Sequence, residues 1–363
     1  MKMPALHHSV LTAATVAFGL CACSSAVAEN LMIGFNRITC PANSDTLVSV
    51  PFMKHPVKAS DSLASAPNLS TTGQAILSLA SSGNWTTNEF KGKSYVRFTS
   101  GAKAGHWYDI LANTDSTLTI DLNGETGSAL ASGDTLMVVE YWTLNTLFPP
   151  GNQTTIHVSS GNLGYQQTTK ILFPNITDTG INLPAEGVYF LTSSGWKQSV
   201  KEFPSSGDKI LPPGLPFIIR HPAGVAATDF EPQGRVLRTT DTVLLAQAQS
   251  ARQDNNVSVL RPVDVALKDS GLDNAAFQDS ASHAAEARKD ELLVFDSESA
   301  AFNKKPSATY YKVAGTWFKD DKKGESNPSA NDDKALAAST GLIVRKSQAT
   351  ANANAIWNNQ PTY

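Results

Sequence analysis

The seven histidines, His7, His8, His55, His106, His157, His221 and His283, are the first side chains to test for chemistry. None forms H-x-H or H-E-x-x-H, the spacings that bring two imidazoles onto one metal, and the three cysteines give no Cys/His zinc pattern. The acids of "DDKKGE" (320–325) flank a glycine but lack the alternating oxygen ligands of a calcium loop, so a solvated loop is expected there. No G-x-S-x-G elbow presents a serine nucleophile. "GAKAGHW" (101–107) lacks the Lys-Ser/Thr ending of a phosphate loop and reads as a hairpin turn between two β runs. Glu140 in "VVEYW" is the one acid within a strongly apolar strand, and alternation points it outward as a surface acid. A pair of carboxylates for glycosidic chemistry is not locatable by spacing, because their separation is set in three dimensions. The expectation is therefore no catalytic, metal-binding or cofactor-binding residue.

Aromatic side chains are the remaining candidates. Trp107 and Tyr108 in "HWYDILA", with Trp196 and Trp317, could stack on a ligand such as a sugar ring. For Trp196 and Trp317 a core role is the stronger reading, because each closes a repeated phrase. "GVYFLTSSGWKQS" (187–199) and "ATYYKVAGTWFKD" (308–320) align Tyr189 with Tyr310, Phe190 with Tyr311 and Trp196 with Trp317, all at an offset of 121. Adjacent aromatics in a strand point to opposite faces, so one of each pair is expected in the core and one partly exposed.

These phrases belong to a longer repeat. "DKILPPGLPFIIR" (208–220) parallels "DKALAASTGLIVR" (333–345) at an offset of 125, the four extra residues falling in the charged stretch 320–332. "KILFPN" (170–175) matches "ELLVFD" (291–296), with Phe173 set on Phe295, and "DTLVSV" (45–50) resembles "DNNVSV" (254–259) at an offset of 209. The first copy then holds extra residues between about 57 and 141. They open on the Ser/Ala/Thr-rich entry 58–73 and continue in four alternating runs: "SYVRFTS", "HWYDILA", "STLTIDL" and "DTLMVVEYW".

The fold expected is mainly β: two copies of a β-rich unit, with a small antiparallel β-meander module inserted into the first. The boundaries are a signal peptide at 1–28, a discontinuous first unit at 29–56 and 142–248, the inserted module at 57–141 and a second unit at 249–363. Short β-branched and aromatic runs such as "LPFIIR", "DTVLLAQ" and "GLIVRK" support it. Helix is expected only at 274–290, with a short turn at 353–359.

The first residues read as an export signal, with Lys2 ahead of the apolar run 10–20 and "AVA" (26–28) before Glu29. A second reading stands beside it, a loose lipobox "LCAC" (20–23) that would attach lipid at Cys23. Either leaves Cys40, expected to be a small buried hydrophobe. The formal net charge of −3 gives no footprint for nucleic acid. A spanning barrel strand is not expected at "AIWNNQPTY" (355–363), which contains Pro361 and does not alternate for long enough.

"SDTLVSVPF" (44–52), "FTSGAKAGHWYDILANTDSTLTID" (98–121), "YWTLNTLFP" (141–149), "RPVDVALKDSGL" (261–272), "DELLVFD" (290–296) and "ATYYKVAGTW" (308–317) together resemble a family of uncharacterised secreted bacterial proteins. The resemblance spans nearly the whole chain after the signal. It implies export and this order of repeats, and brings no activity, cofactor or catalytic residue. The functional expectation is an exported, non-catalytic protein of the cell envelope or surface, in the periplasm, at the outer membrane or outside the cell. Its partners would be an envelope polymer, a glycan or its own copies. A polysaccharide- or peptide-binding module and a glycan-active hydrolase are the alternatives, and only a lipid anchor at Cys23 would tie the chain to a membrane.

Overall fold

Each of the two aromatic phrases folds as a tight hairpin on the edge of a five-stranded antiparallel sheet. In the computed structural model, which describes residues 31–70, 73–272, 275–320 and 328–361, Gly187–Thr192 pairs with Gly195–Gln198, and Leu191 lies opposite Trp196. Ala308–Val313 pairs likewise with Thr316–Lys319, and Lys312 lies opposite Trp317. From that edge the first sheet continues through Lys170–Phe173, Phe217–His221 and Ser44–Val48. The second continues through Glu291–Val294, Leu342–Lys346 and Gln253–Val257. The order is the same strand for strand. Registers correspond too: Ile171 faces Tyr189 as Leu292 faces Tyr310, and Asp45 faces Arg220 as Asp254 faces Arg345.

Several details differ from the sequence reading. Phe173 corresponds in register to Val294 and not to Phe295, which lies one residue past the strand. Tyr189, Phe190, Tyr310 and Tyr311 are all buried, so neither pair has an exposed member. The outer faces are covered, Phe190 by Phe203 and Tyr311 by His283, Phe318 and the Arg288 guanidinium. No helix forms in the described part of 274–290, where only a 3-10 turn at Ala285–Ala287 appears. Residues 353–359 are no turn but a strand, Ala353–Asn359, paired with Asp241–Gln247 along its whole length. Its Ala355, Trp357 and Asn359 point inward, the two-residue period that makes a strand.

The sheets are laced to each other by exchanged loops. The loop after the first sheet's Lys170–Phe173 places Asn182 on the second sheet, and the loop after Glu291–Val294 places Asn303 on the first. Asp45 accepts both Nε and Nη2 of Arg220 at 2.6 Å and the backbone N–H of Asn303 at 2.7 Å. Asp254 accepts Nε and Nη2 of Arg345 at 2.6 and 2.9 Å and the N–H of Asn182 at 2.8 Å. Beyond the strands, Ser49 N–H donates to Ser339 O at 2.7 Å and Ser258 N–H to Gly214 O at 2.9 Å, a second reciprocal pair.

Residues 59–140 build a separate seven-stranded sheet that curls into a half-barrel. Ser94–Phe98, Trp107–Asn113 and Thr117–Asp121 run on as the expected meander, but Thr135–Glu140 returns to the far side of Ser94–Phe98. A bridge between Leu63 and Leu79 draws the rim together. Val96, Phe98, Tyr108, Ile110, Leu136 and Val138 fill the interior. The opposite face is buried as well: Tyr95, Met137, Val139 and Tyr141 pack with Met53, Leu237 and Leu260 of the main body. That explains the near-continuous apolar run "LMVVEYW", since a strand covered on both faces loses its alternation. The segment 59–140 is thus seated on the rest of the chain.

Cys40 is fully buried and unpaired among the described residues, and burial pushes its thiol up to about 12. No helix among the described residues is long and apolar enough to cross a membrane. Residues 1–28, read above as an export signal, with Cys23, Glu29, most of 320–325 and Tyr363, lie outside the described residues.

Candidate functional site

Where the half-barrel meets the body, a cleft of about 690 Å³ opens between the barrel, the 210–215 turn and the strands Asp241–Gln247 and Gln253–Val257. Alternation along Trp107–Asn113 builds its barrel wall. Tyr108 and Ile110 point into the barrel core, so Trp107 and Asp109 share the outer face and line the cleft. A register shift between Ile110 and Ala112 bends the strand just beyond them.

Trp107 is half-buried and edge-on to Tyr95, with ring centroids 5.8 Å apart, and Tyr95 in turn packs against Tyr141 at 5.1 Å. The Tyr141 hydroxyl donates to the exposed Asp109 carboxylate. Burial first, and Asp109 next, push the Tyr141 phenol far above its ordinary range, so it stays a donor. The result is one indole face beside a carboxylate whose position is fixed.

A second cluster borders the cleft. Glu125 accepts from Lys103 Nζ, from the Tyr108 hydroxyl at 3.2 Å and meets His106 Nδ1 at 3.1 Å. Burial alone would raise this carboxyl, but the bonds from His106 and Lys103 outweigh it and hold Glu125 at about 2. Lys103 and His106 come from the turn 101–107, so the hairpin expected from "GAKAGHW" also carries charge.

The cleft is held open by the docking of that hairpin. Arg97 and Asp241 form a buried ion pair at 3.0 Å between barrel and body, and Arg97 Nη2 also reaches Thr240 O at 3.0 Å. Gly105 sits at φ +91°, where an added Cβ would lie 2.7 Å from Thr240 O and 2.6 Å from Thr242 Oγ1. Only glycine allows this approach.

Of the four aromatics singled out in the sequence, Trp107 alone lines the cleft. Tyr108 is buried in the barrel, and the two repeated tryptophans are core: Trp196 packs on Phe148 and donates to its carbonyl at 3.2 Å, and Trp317 packs on Phe277. These three offer no face to a ligand. Glu140 is not a free surface acid either. It pairs with Lys54 at 3.0 Å and Lys58 at 2.8 Å.

Asp109, Tyr141, Glu125 and the Arg97–Asp241 pair were not singled out by sequence. For Asp109 a signal existed, its two-residue spacing from Trp107; Glu125 is on a loop whose approach to the hairpin only folding determines. Among the described residues no group of three His, Cys, Asp or Glu could hold a metal ion. No family model, curated protein or solved structure matches the chain.

Proposed function

We propose that this protein works outside the cytoplasm as a non-catalytic envelope or surface protein, and that it does so by holding a hydroxyl-rich ligand, such as a glycan of the envelope, in the cleft beside Trp107. The observation that carries this reading is the pairing of a half-exposed indole with a carboxylate fixed by Tyr141. Flat apolar sugar faces stack on aromatic rings while their hydroxyls donate to carboxylates. A binding role is favoured over hydrolysis by the state of the acids. Glu125 is held ionised and fully engaged, so it has no proton to give at neutral pH.

The same proposal takes the two sheets to be one unit written twice, with the half-barrel inserted in the first copy. What supports this is the shared strand order, the matching registers and the reciprocal loops. In this reading the duplicated body is the rigid support and the insertion supplies the cleft.

A glycan array and an envelope pull-down with the exported protein test the assignment. Trp107→Ala should weaken capture of the best glycan ~10-fold or more, measured well below its melting transition, which lost packing on Tyr95 will lower. Asp109→Asn should weaken it as well. If instead the protein cleaves an oligosaccharide, and one acid-to-amide change abolishes cleavage, the hydrolase reading replaces this one.

A further inference from the structure

The second cavity lies between the two sheets, on the approximate two-fold axis that relates their loops. It measures about 390 Å³, within the range of small-molecule sites. Its walls are the facing sides of the sheets, Leu172 and Ile218 from one and Ile343 from the other, closed laterally by the exchanged loops. Apolar side chains on both walls leave a space that favours an apolar guest.

The frame is symmetric but the chemistry is not. Where the first loop places Asn175 and Leu183, the second places Asp296 and Lys304 at the offset of 121. Each end keeps an aspartate–arginine pair, Asp45–Arg220 or Asp254–Arg345, but only one end adds the charged side chains Asp296 and Lys304. At that end most groups are already satisfied. Arg220 is bound in bidentate fashion by Asp45, and the Asp296 carboxylate accepts from the N–H groups of Glu298 and Ser299. Lys304 is different. Its ammonium donates to the Asp296 carbonyl at 2.9 Å, and although the Asp296 and Asp45 carboxylates act on it from a distance, among the described residues it makes no salt bridge within 4.0 Å. A half-buried cation with donors left over is the place where an anionic group gains most.

We propose that this axial cavity binds a small amphipathic carboxylate, its apolar body between Leu172, Ile218 and Ile343 and its headgroup on Lys304. The site is independent of the cleft beside Trp107. A straight-chain carboxylate suits it, because Lys304 sits at one end of walls lined by Leu172, Ile218 and Ile343.

Dodecanoate titrated into the full-length protein by calorimetry is the direct test, with dodecyltrimethylammonium as the matched cation. Dodecanoate should bind at one site and the cation should not. Lys304→Gln should weaken binding ~10- to 100-fold, as expected for one charge-assisted hydrogen bond, while Lys304→Arg retains most of it. Ile218→Trp should fill the cavity and abolish binding. Because that variant is in a sheet, Leu183→Trp in the loop is measured alongside it, with the melting transition of each recorded. Absence of dodecanoate binding, equal binding of the cation, or a Lys304→Gln titration like that of the native protein would overturn the proposal.

Discussion

Asn182 and Asn303 hold equivalent places in the two exchanged loops. Both adopt the left-handed backbone, at φ 53° and 47°, and each accepts a hydrogen bond from the arginine of the sheet it crosses to. Arg345 reaches Asn182 Oδ1 at 3.0 Å and Arg220 reaches Asn303 Oδ1 at 2.8 Å. Asparagine suits this post twice over. It tolerates positive φ better than other side chains, and its carbonyl oxygen satisfies a guanidinium that the aspartate has not saturated.

That relationship gives the first prediction. Asn303→Ala loses both the backbone compatibility and the contact to Arg220, whereas Asn303→Gly loses only the contact. Denaturant unfolding should therefore rank native, glycine, alanine, with alanine about 1 kcal/mol below glycine. The same order is expected at Asn182. Equal stability of the alanine and glycine variants would count against strain at this position.

The second prediction concerns a pair buried beneath the second sheet. Lys346 Nζ meets the Asp290 carboxylate and also donates to Ala276 O at 2.6 Å, and both side chains are fully buried. Asp290 further accepts the N–H groups of Gln278 at 2.7 Å and Ser347 at 2.8 Å. Lys346→Met strands the carboxylate and should destabilise by about 3–5 kcal/mol. Adding Asp290→Asn should recover part of that, because a neutral amide costs less to bury than an unpaired charge. A double variant no better than the single would show that the charge is not what matters.

How much of this was legible follows from where the physics is local. The strands Gly187–Thr192 and Ala308–Val313 were readable because their β-branched and aromatic side chains favour extended backbone locally. The strand Ala353–Asn359 was not, since alanine and asparagine are weak strand formers and its partner lies more than 100 residues upstream, at Asp241–Gln247. Long-range pairing overrode local preference there. In the cleft, Trp107 could be named and Asp109 could have been, by alternation. Glu125 and Arg97 could not, because their roles depend on the barrel curling and then docking. The axial cavity is likewise a product of loop exchange, which sequence spacing does not reveal.

Acid stability supplies the third prediction. His221 is fully buried, accepting or donating to Thr169 Oγ1 at 2.9 Å and Thr228 Oγ1 at 2.8 Å, with the His157 ring 5.2 Å away. Burial, then His157, lower it from an ordinary 6.5 to about 4. The unfolded chain takes up this proton below pH 6.5 and the folded chain resists until about pH 4. Stability should thus fall as pH drops through that window, by on the order of 3 kcal/mol, and this group should add no further loss below it. His221→Gln should flatten that part of the profile, measured by urea unfolding at stepped pH. An unchanged slope would assign the acid sensitivity elsewhere.

The last prediction tests how the barrel is seated. Gly105 N–H donates to Phe98 O at 2.9 Å within the hairpin, and its carbonyl accepts Thr242 N–H of the body at 3.3 Å. A methyl group at φ +91° would be strained in itself and would press on Thr240 O, part of the wall that also anchors Arg97. Gly105→Ala should therefore push the hairpin off Asp241–Gln247 without emptying the barrel core. The expected signature is selective: faster amide exchange at Thr242 and along that strand, with protection in Ser94–Phe98 and Thr117–Asp121 retained. A loss of about 1–3 kcal/mol is expected. Because Trp107 lies two residues beyond the hinge, the cleft should widen as well, and an indole fluorescence shift toward longer wavelength would report it. Uniform loss of protection through the barrel would mean instead that the hairpin is part of the barrel's own fold and not its fastening.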